Sequence, residues 1–154
     1  MSFRRVMAGI AFVGGLSTAA VGLAQAQGGD AEIIAARQAG YKRTGANVQE
    51  IKKAVDAGSD LTPLAARAQE IADWARKIPT MFPPGSDTGA KTAALPVIWT
   101  DKANFDAAAA ALATQADKLV QVLKANDKAA VAAQFSATTA ACGACHRNFR
   151  QRTS

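Results

Sequence analysis

The sequence predicts an all-α protein, an antiparallel up-down-up-down bundle of four helices in one domain. Three observations carry that expectation. Apolar residues recur at a helical period in four separate stretches, and no stretch alternates apolar and polar as a half-buried strand does. Glycines, prolines and an Ala-Asn-Asp turn punctuate the chain between those stretches. All the links but one are short, and short links join antiparallel neighbours.

In the first stretch Ile34, Tyr41, Val48 and Val55 recur every seven residues, with Ile51 at the intermediate apolar position, which marks one buried stripe. Gly58 ends it. The second stretch opens on Thr62 as an N-cap with Pro63 at the first helical position, carries Leu64, Ile71, Trp74 and Ile78 on one face, and stops at Pro79. From Pro79 to Pro96 the run PTMFPPGSDTGAKTAALP is dense in proline, glycine and small polar residues and cannot continue a helix, so it forms the one long connection. Thr100 or Asp101 then caps a third helix with Phe105, Leu112, Leu119 and Leu123 on its inner face. Residues 125–127 separate it from a fourth, whose stripe of Val131, Phe135, Cys142 and Phe149 passes through a cysteine. Alanine-rich faces such as FDAAAAALA let helices approach closely and leave room for something larger than side chains. There is no internal repeat and no second domain.

The start of the chain sets the compartment. Arg4 and Arg5 precede an apolar run that ends in the small-residue pattern Ala24-Gln25-Ala26, which reads as a secretory signal over residues 1–26 with cleavage after Ala26. A membrane anchor is the competing reading, but the run is short, is broken by Gly14, Gly15 and Gly22, and is followed at once by polar residues. The mature domain, residues 27–154, is therefore expected to be soluble and without a membrane partner. Loss of Arg4 and Arg5 lowers the formal charge from +6 to +4. The remaining basic residues are scattered, and 6% aromatics leaves little for base stacking, which argues against nucleic acid as a partner.

Residues 140–149, AACGACHRNF, hold both cysteines of the sequence, Cys142 and Cys145, and its single histidine, His146. On a helix these positions stand as i, i+3 and i+4, so two thiols and an imidazole project from one face within a turn. A disulfide is the default in an exported compartment, but cysteines three apart on a helix fit its geometry poorly and close too short a loop to constrain the chain. A thioredoxin-like dithiol needs a strand before it and a βαβ setting. Zinc needs three or four ligands, and with no further Cys or His it would have to draw on carboxylates. Cys-x-x-Cys-His is the attachment sequence of c-type haem, in which the thiols add to the porphyrin vinyls and the adjacent histidine ligates iron. One short run then supplies both covalent anchors and the axial ligand, so a single covalent haem c is the expected cofactor.

The C-terminal CGACHRNFR, with PVIWTDKANFDAAAAAL before the third helix and RQAGYKRTG on the first, resembles the cytochrome c′ family over the whole of residues 27–154. The resemblance implies a periplasmic four-helix bundle, commonly a homodimer, with haem between helices near one end. It implies electron transfer or binding of nitric oxide and carbon monoxide, not catalysis on an organic substrate.

The second axial position of the iron is narrowed by composition. No second histidine exists, and Met81 is the one methionine left once Met1 and Met7 depart with the signal. Met81 lies in the connection, where it reads as a gap-filling residue. Low-spin relatives of the family place a ligating methionine where this chain has Tyr41. Antiparallel threading sets Tyr41 and His146 at the same end of the bundle. Tyr41 is accordingly a distal-pocket residue or an ordinary core aromatic. Arg37, four residues earlier and at an inner heptad position, needs a partner for its charge; the resemblance implies a haem propionate, and the alternative is a side chain snorkelling to solvent. Arg150, four residues after His146, either tunes the imidazole or complements the helix dipole.

The expected function is thus a haem protein with five-coordinate, high-spin iron that binds small gases or passes electrons. Two alternatives stand beside it: a low-spin, six-coordinate electron carrier, and a haem-free bundle whose Cys-x-x-Cys is a redox or structural pair.

Overall fold

The computed structural model describes residues 20–152, with side chains from Asp30 onward. Five helices follow one another: α1 (Ala20–Asp56), α2 (Ala65–Lys77), α3 (Val97–Thr100), α4 (Lys102–Lys124) and α5 (Lys128–Phe149). The four long ones are the four expected from the periodicity. Among the described residues no strand forms, and the one β-type contact is an isolated bridge between Ala94 and Arg150. No described helix is long and apolar enough to cross a membrane. The expected signal segment lies outside the described residues except for the backbone of 20–26, which opens α1.

Local chemistry sets the ends. Gly58 adopts φ +62, a left-handed conformation that an L side chain would strain, and its N–H and that of Ser59 return to the carbonyls of Val55 and Ala54. Thr62 is not the N-cap of the second helix. Residues Thr62–Leu64 form a 3-10 turn with Leu61 in the cap position, and the Thr62 N–H donates to the Asp60 carboxylate at 3.1 Å. Asp60 makes a local turn with that amide, and neither the 3-10 turn nor α2 has a side-chain cap. Pro79 ends α2 as expected, through a second 3-10 turn, Ile78–Met81. Asp101 holds the N-cap position of α4, although its carboxylate accepts from the Asn104 side chain and not from the backbone. Asp127 caps α5 fully, accepting from the Ala130 N–H at 3.0 Å. The short α3 was not foreseen.

The two short turns lie together at one end of the bundle. Asn126, in a left-handed conformation at φ 52, accepts the Leu61 N–H on its side-chain oxygen at 3.0 Å, and Lys128 donates to the Gly58 carbonyl. The cysteines belong to the opposite end.

α4 is the central helix, packed on α2 at one side and α5 at the other, while α1 leans on α2 and meets α5 only sparsely. Buried Ala68, Ala72 and Ala75 on α2 and Ala109, Ala113 and Ala116 on α4 explain the tightest of these contacts, because methyl-sized side chains let backbones approach. Ile51, Leu119, Leu123 and Val131 are fully enclosed in the core that results. The alanines therefore close the α2–α4 seam, and the looser seam is between α1 and α5.

Candidate functional site

At the end of α5 the two cysteines are free thiols, half-buried and packed against the core. Burial pushes both thiols above their ordinary pKa, with the neighbouring Cys142 adding to the rise at Cys145. They are protonated at neutral pH. His146 is more open, and partial burial followed by the charge of Arg150 pushes its pKa down, which leaves a neutral imidazole with a free lone pair. Among the described residues no group of three or more His, Cys, Asp or Glu is gathered to hold a metal ion, so the further ligands that zinc would need are not assembled there.

The long connection crosses this end and is pinned to it. Leu95 N–H donates to the Phe149 carbonyl at 3.1 Å, and Gln151 N–H donates to the Ala93 carbonyl at 2.7 Å. Arg150 sits between them as the C-cap of α5, its own N–H on the His146 carbonyl at 3.2 Å. Arg150 stands at the helix end, and its charge lowers the His146 pKa.

Arg37 does not snorkel outward: it is 2% exposed. Its Nη1 donates to the Ser86 carbonyl at 2.8 Å and the Ser86 hydroxyl at 3.1 Å, and its Nη2 donates to the Thr92 hydroxyl at 2.9 Å. The guanidinium also lies 4.5 Å from the Phe82 ring centroid and 5.8 Å from that of Trp99. Every hydrogen-bond acceptor around it in the described structure is neutral. Burial lowers the pKa of this cation, the nearby Asp87 charge offsets only part of that, and an anion in direct contact would offset more.

Tyr41 is half-buried on α1, packed on the same core as the cysteines. Its phenol pKa is pushed up, chiefly by burial, so Tyr41 is neutral at neutral pH. The antiparallel placement of Tyr41 beside the end of α5 is as expected. Its ring meets that of Trp74 edge to face, with centroids 5.5 Å apart. Met81 is at the same end of the bundle, 7% exposed in the core and next to Phe82, whose ring packs on the Arg37 guanidinium.

Several residues of this end escaped the sequence reading. Ser86 and Thr92 stand 49 and 55 residues from the arginine they bind, and the only signal was that small hydroxyls fill the proline-rich run. The contact between Gly40 and Trp74, described below, had no signal at all.

Two thiols and an imidazole at the Cys-x-x-Cys-His spacing close the last helix of a four-helix bundle, the attachment pattern of a c-type haem protein. The chain belongs to the cytochrome c′ family, itself a standing example of the up-down-up-down bundle, whose profile matches residues 32–150. The proteins of that family carry covalently bound haem c. Cytochrome c′ of Rhodopseudomonas palustris is 36% identical over 147 residues, covering 94% of this chain and 97% of the relative. The crystal structure of cytochrome c′ from Thermochromatium tepidum is 30% identical and superposes with a TM-score of 0.75, covering 80% of this chain and 97% of the other. A further solved cytochrome c′, described as having an unusual ligand-controlled dimer dissociation, is 28% identical with a TM-score of 0.75 over the same shares. The residues present fit the cofactor: the thiols have the attachment spacing and no disulfide between them, and the buried Arg37 hydrogen-bonds only neutral groups, with the Asp87 charge acting on it from further off.

Proposed function

We propose that Cys142 and Cys145 hold one haem c by thioether bonds, that His146 is its proximal ligand, and that Arg37 stands by its carboxylates. In this reading Tyr41 covers the distal side without ligating in the ferrous state, so the centre is five-coordinate and high-spin. When bound, the haem supplies an iron that takes up diatomic gases and changes charge by one electron. The protein binds nitric oxide and carbon monoxide or passes electrons, and is not an enzyme acting on an organic substrate. Arg150 helps keep His146 neutral.

The observation that carries the proposal is the state and place of Tyr41. A neutral phenol is a poor ligand for ferrous iron, and this one is held neutral beside Cys145. The sequence has no second histidine, and Met81 is committed to the core. A bulky ring over the open position favours small ligands, because each added atom increases the displacement required. Tyr41→Ala is accordingly expected to speed carbon monoxide association by roughly tenfold or more, the effect of removing at least ~1.4 kcal/mol of barrier. Tyr41→Met shifts the centre toward low spin, and Met81→Ala leaves the ferrous spectrum unchanged. A native low-spin ferrous spectrum that Met81→Ala abolishes would replace this reading with a dedicated electron carrier.

The basic, apolar, small-residue pattern of residues 1–26 supports export to the periplasm and a mature chain of 27–154. The family's dimers support a homodimer; the solved relative whose dimer dissociates under ligand control is one such protein. Sedimentation at micromolar concentration decides this, and a clean monomer ends it.

A further inference from the structure

We infer that Trp74 is the positioning residue of the distal side: seated in the notch that Gly40 leaves in α1, it braces Tyr41 and so sets how fast a diatomic ligand reaches the iron. The inference rests on the distal role proposed for Tyr41.

The notch is a matter of distances. A Cβ at residue 40 would lie 2.1 Å from Trp74 Cη2, 2.3 Å from Cζ2 and 2.4 Å from Cζ3. Atoms do not approach so closely, so the six-membered ring of the indole occupies the volume that any side chain at position 40 would need. The next residue along α1 is Tyr41, and the same indole meets it edge to face. Two consecutive residues of α1 therefore share one partner on α2, the first by having no side chain and the second by stacking its ring.

Shape alone holds that partner. Trp74 Nε1 is buried and has no hydrogen-bond acceptor among the described residues, an unfavourable arrangement that the packing must outweigh. Just along α1, Arg43 Nε and Asn47 Nδ2 both donate to Glu70 on α2, at 2.8 and 3.0 Å, linking the two helices at the surface. With the indole in place Tyr41 has no room to retreat toward α2, and to leave the distal face it must break the aromatic pair. Removing Trp74 opens that retreat.

The test uses the haem-loaded protein and two readouts, carbon monoxide association and the thermal midpoint. Trp74→Ala is expected to speed association roughly three- to tenfold, the factor by which losing one edge-to-face pair lowers an opening barrier. In a Tyr41→Ala background the same change should add nothing, because the residue it positions is gone. Gly40→Ala should lower the thermal midpoint and speed association when Trp74 is present. In the Trp74→Ala background its sign should reverse, since only the gain in helix propensity then remains. Gly45→Ala measures that gain independently, at a helix position with nothing within 4 Å of the added methyl. Trp74→Ala acting equally with and without Tyr41, or Gly40→Ala behaving like Gly45→Ala in the native background, overturns the brace. If Tyr41→Ala itself leaves association unchanged, the distal role of Tyr41 fails first and the brace with it.

Discussion

Cys142→Ser combined with Cys145→Ser is expected to abolish covalent haem, with no peroxidase-active band surviving on a denaturing gel of the purified chain. The expectation follows from the chemistry at the end of α5. Both thiols are free, protonated and half-buried on one helical face, the form in which each sulfur can add across a vinyl group and keep the product enclosed. Serine keeps the size and helical fit of the site and removes the sulfur, so the helix survives and the bond does not. Each single variant retains one anchor and should give holoprotein at reduced yield. Haem that leaves the native, denatured chain in acidified organic solvent would contradict the attachment.

Arg37→Met should be the most damaging single change away from the attachment sequence. The methionine has a similar reach but donates nothing, so the Ser86 carbonyl loses its donor, while the Thr92 hydroxyl keeps that of the Ala94 N–H. The Ser86 carbonyl is left buried without a donor, at about 1–3 kcal/mol, and for a domain of this size that lowers the thermal midpoint by roughly 3–12 °C. Two effects compete here: relief of a buried cation, which favours the variant, and the orphaned Ser86 carbonyl with the lost contacts to the Ser86 and Thr92 hydroxyls, which oppose it. The second should win, because the connection from Pro79 to Pro96 is tied to α1 through these contacts. Arg37→Lys, which keeps the charge and loses the fork, should fall between. A reading beyond stability separates the roles of this residue. A cation near the haem carboxylates favours the less positive ferrous state, so Arg37→Met should lower the midpoint potential. A destabilised protein with an unchanged potential would show that Arg37 serves the connection alone.

The four long helices were legible because each buries one stripe, and a stripe at the helical period is visible in sequence. Phe105, Leu112, Leu119 and Leu123 all lie buried where that period placed them. What failed was short or local. Thr62 before Pro63 has the pattern of a cap, whereas Leu61 and Leu64 hold the cap positions and neither the 3-10 turn nor α2 has a side-chain cap. The four residues of α3 are too few to display a period. At the site the same division holds. Cys142, Cys145 and His146 announce themselves because their chemistry is contiguous in the chain. Arg37 was marked by its inner heptad position, but nothing along the chain says that a serine and a threonine in a distant connection receive its hydrogens. Gly40 and Trp74 were invisible together, since a missing side chain has meaning only against the residue that fills its space.

The ferrous absorption spectrum of the purified protein, recorded with and without carbon monoxide, tests the central claim most directly. An intact five-coordinate centre with His146 proximal and Tyr41 unligated should give a high-spin ferrous spectrum that carbon monoxide converts at once to a low-spin one. A ferrous spectrum that is low-spin from the outset and indifferent to carbon monoxide would contradict it.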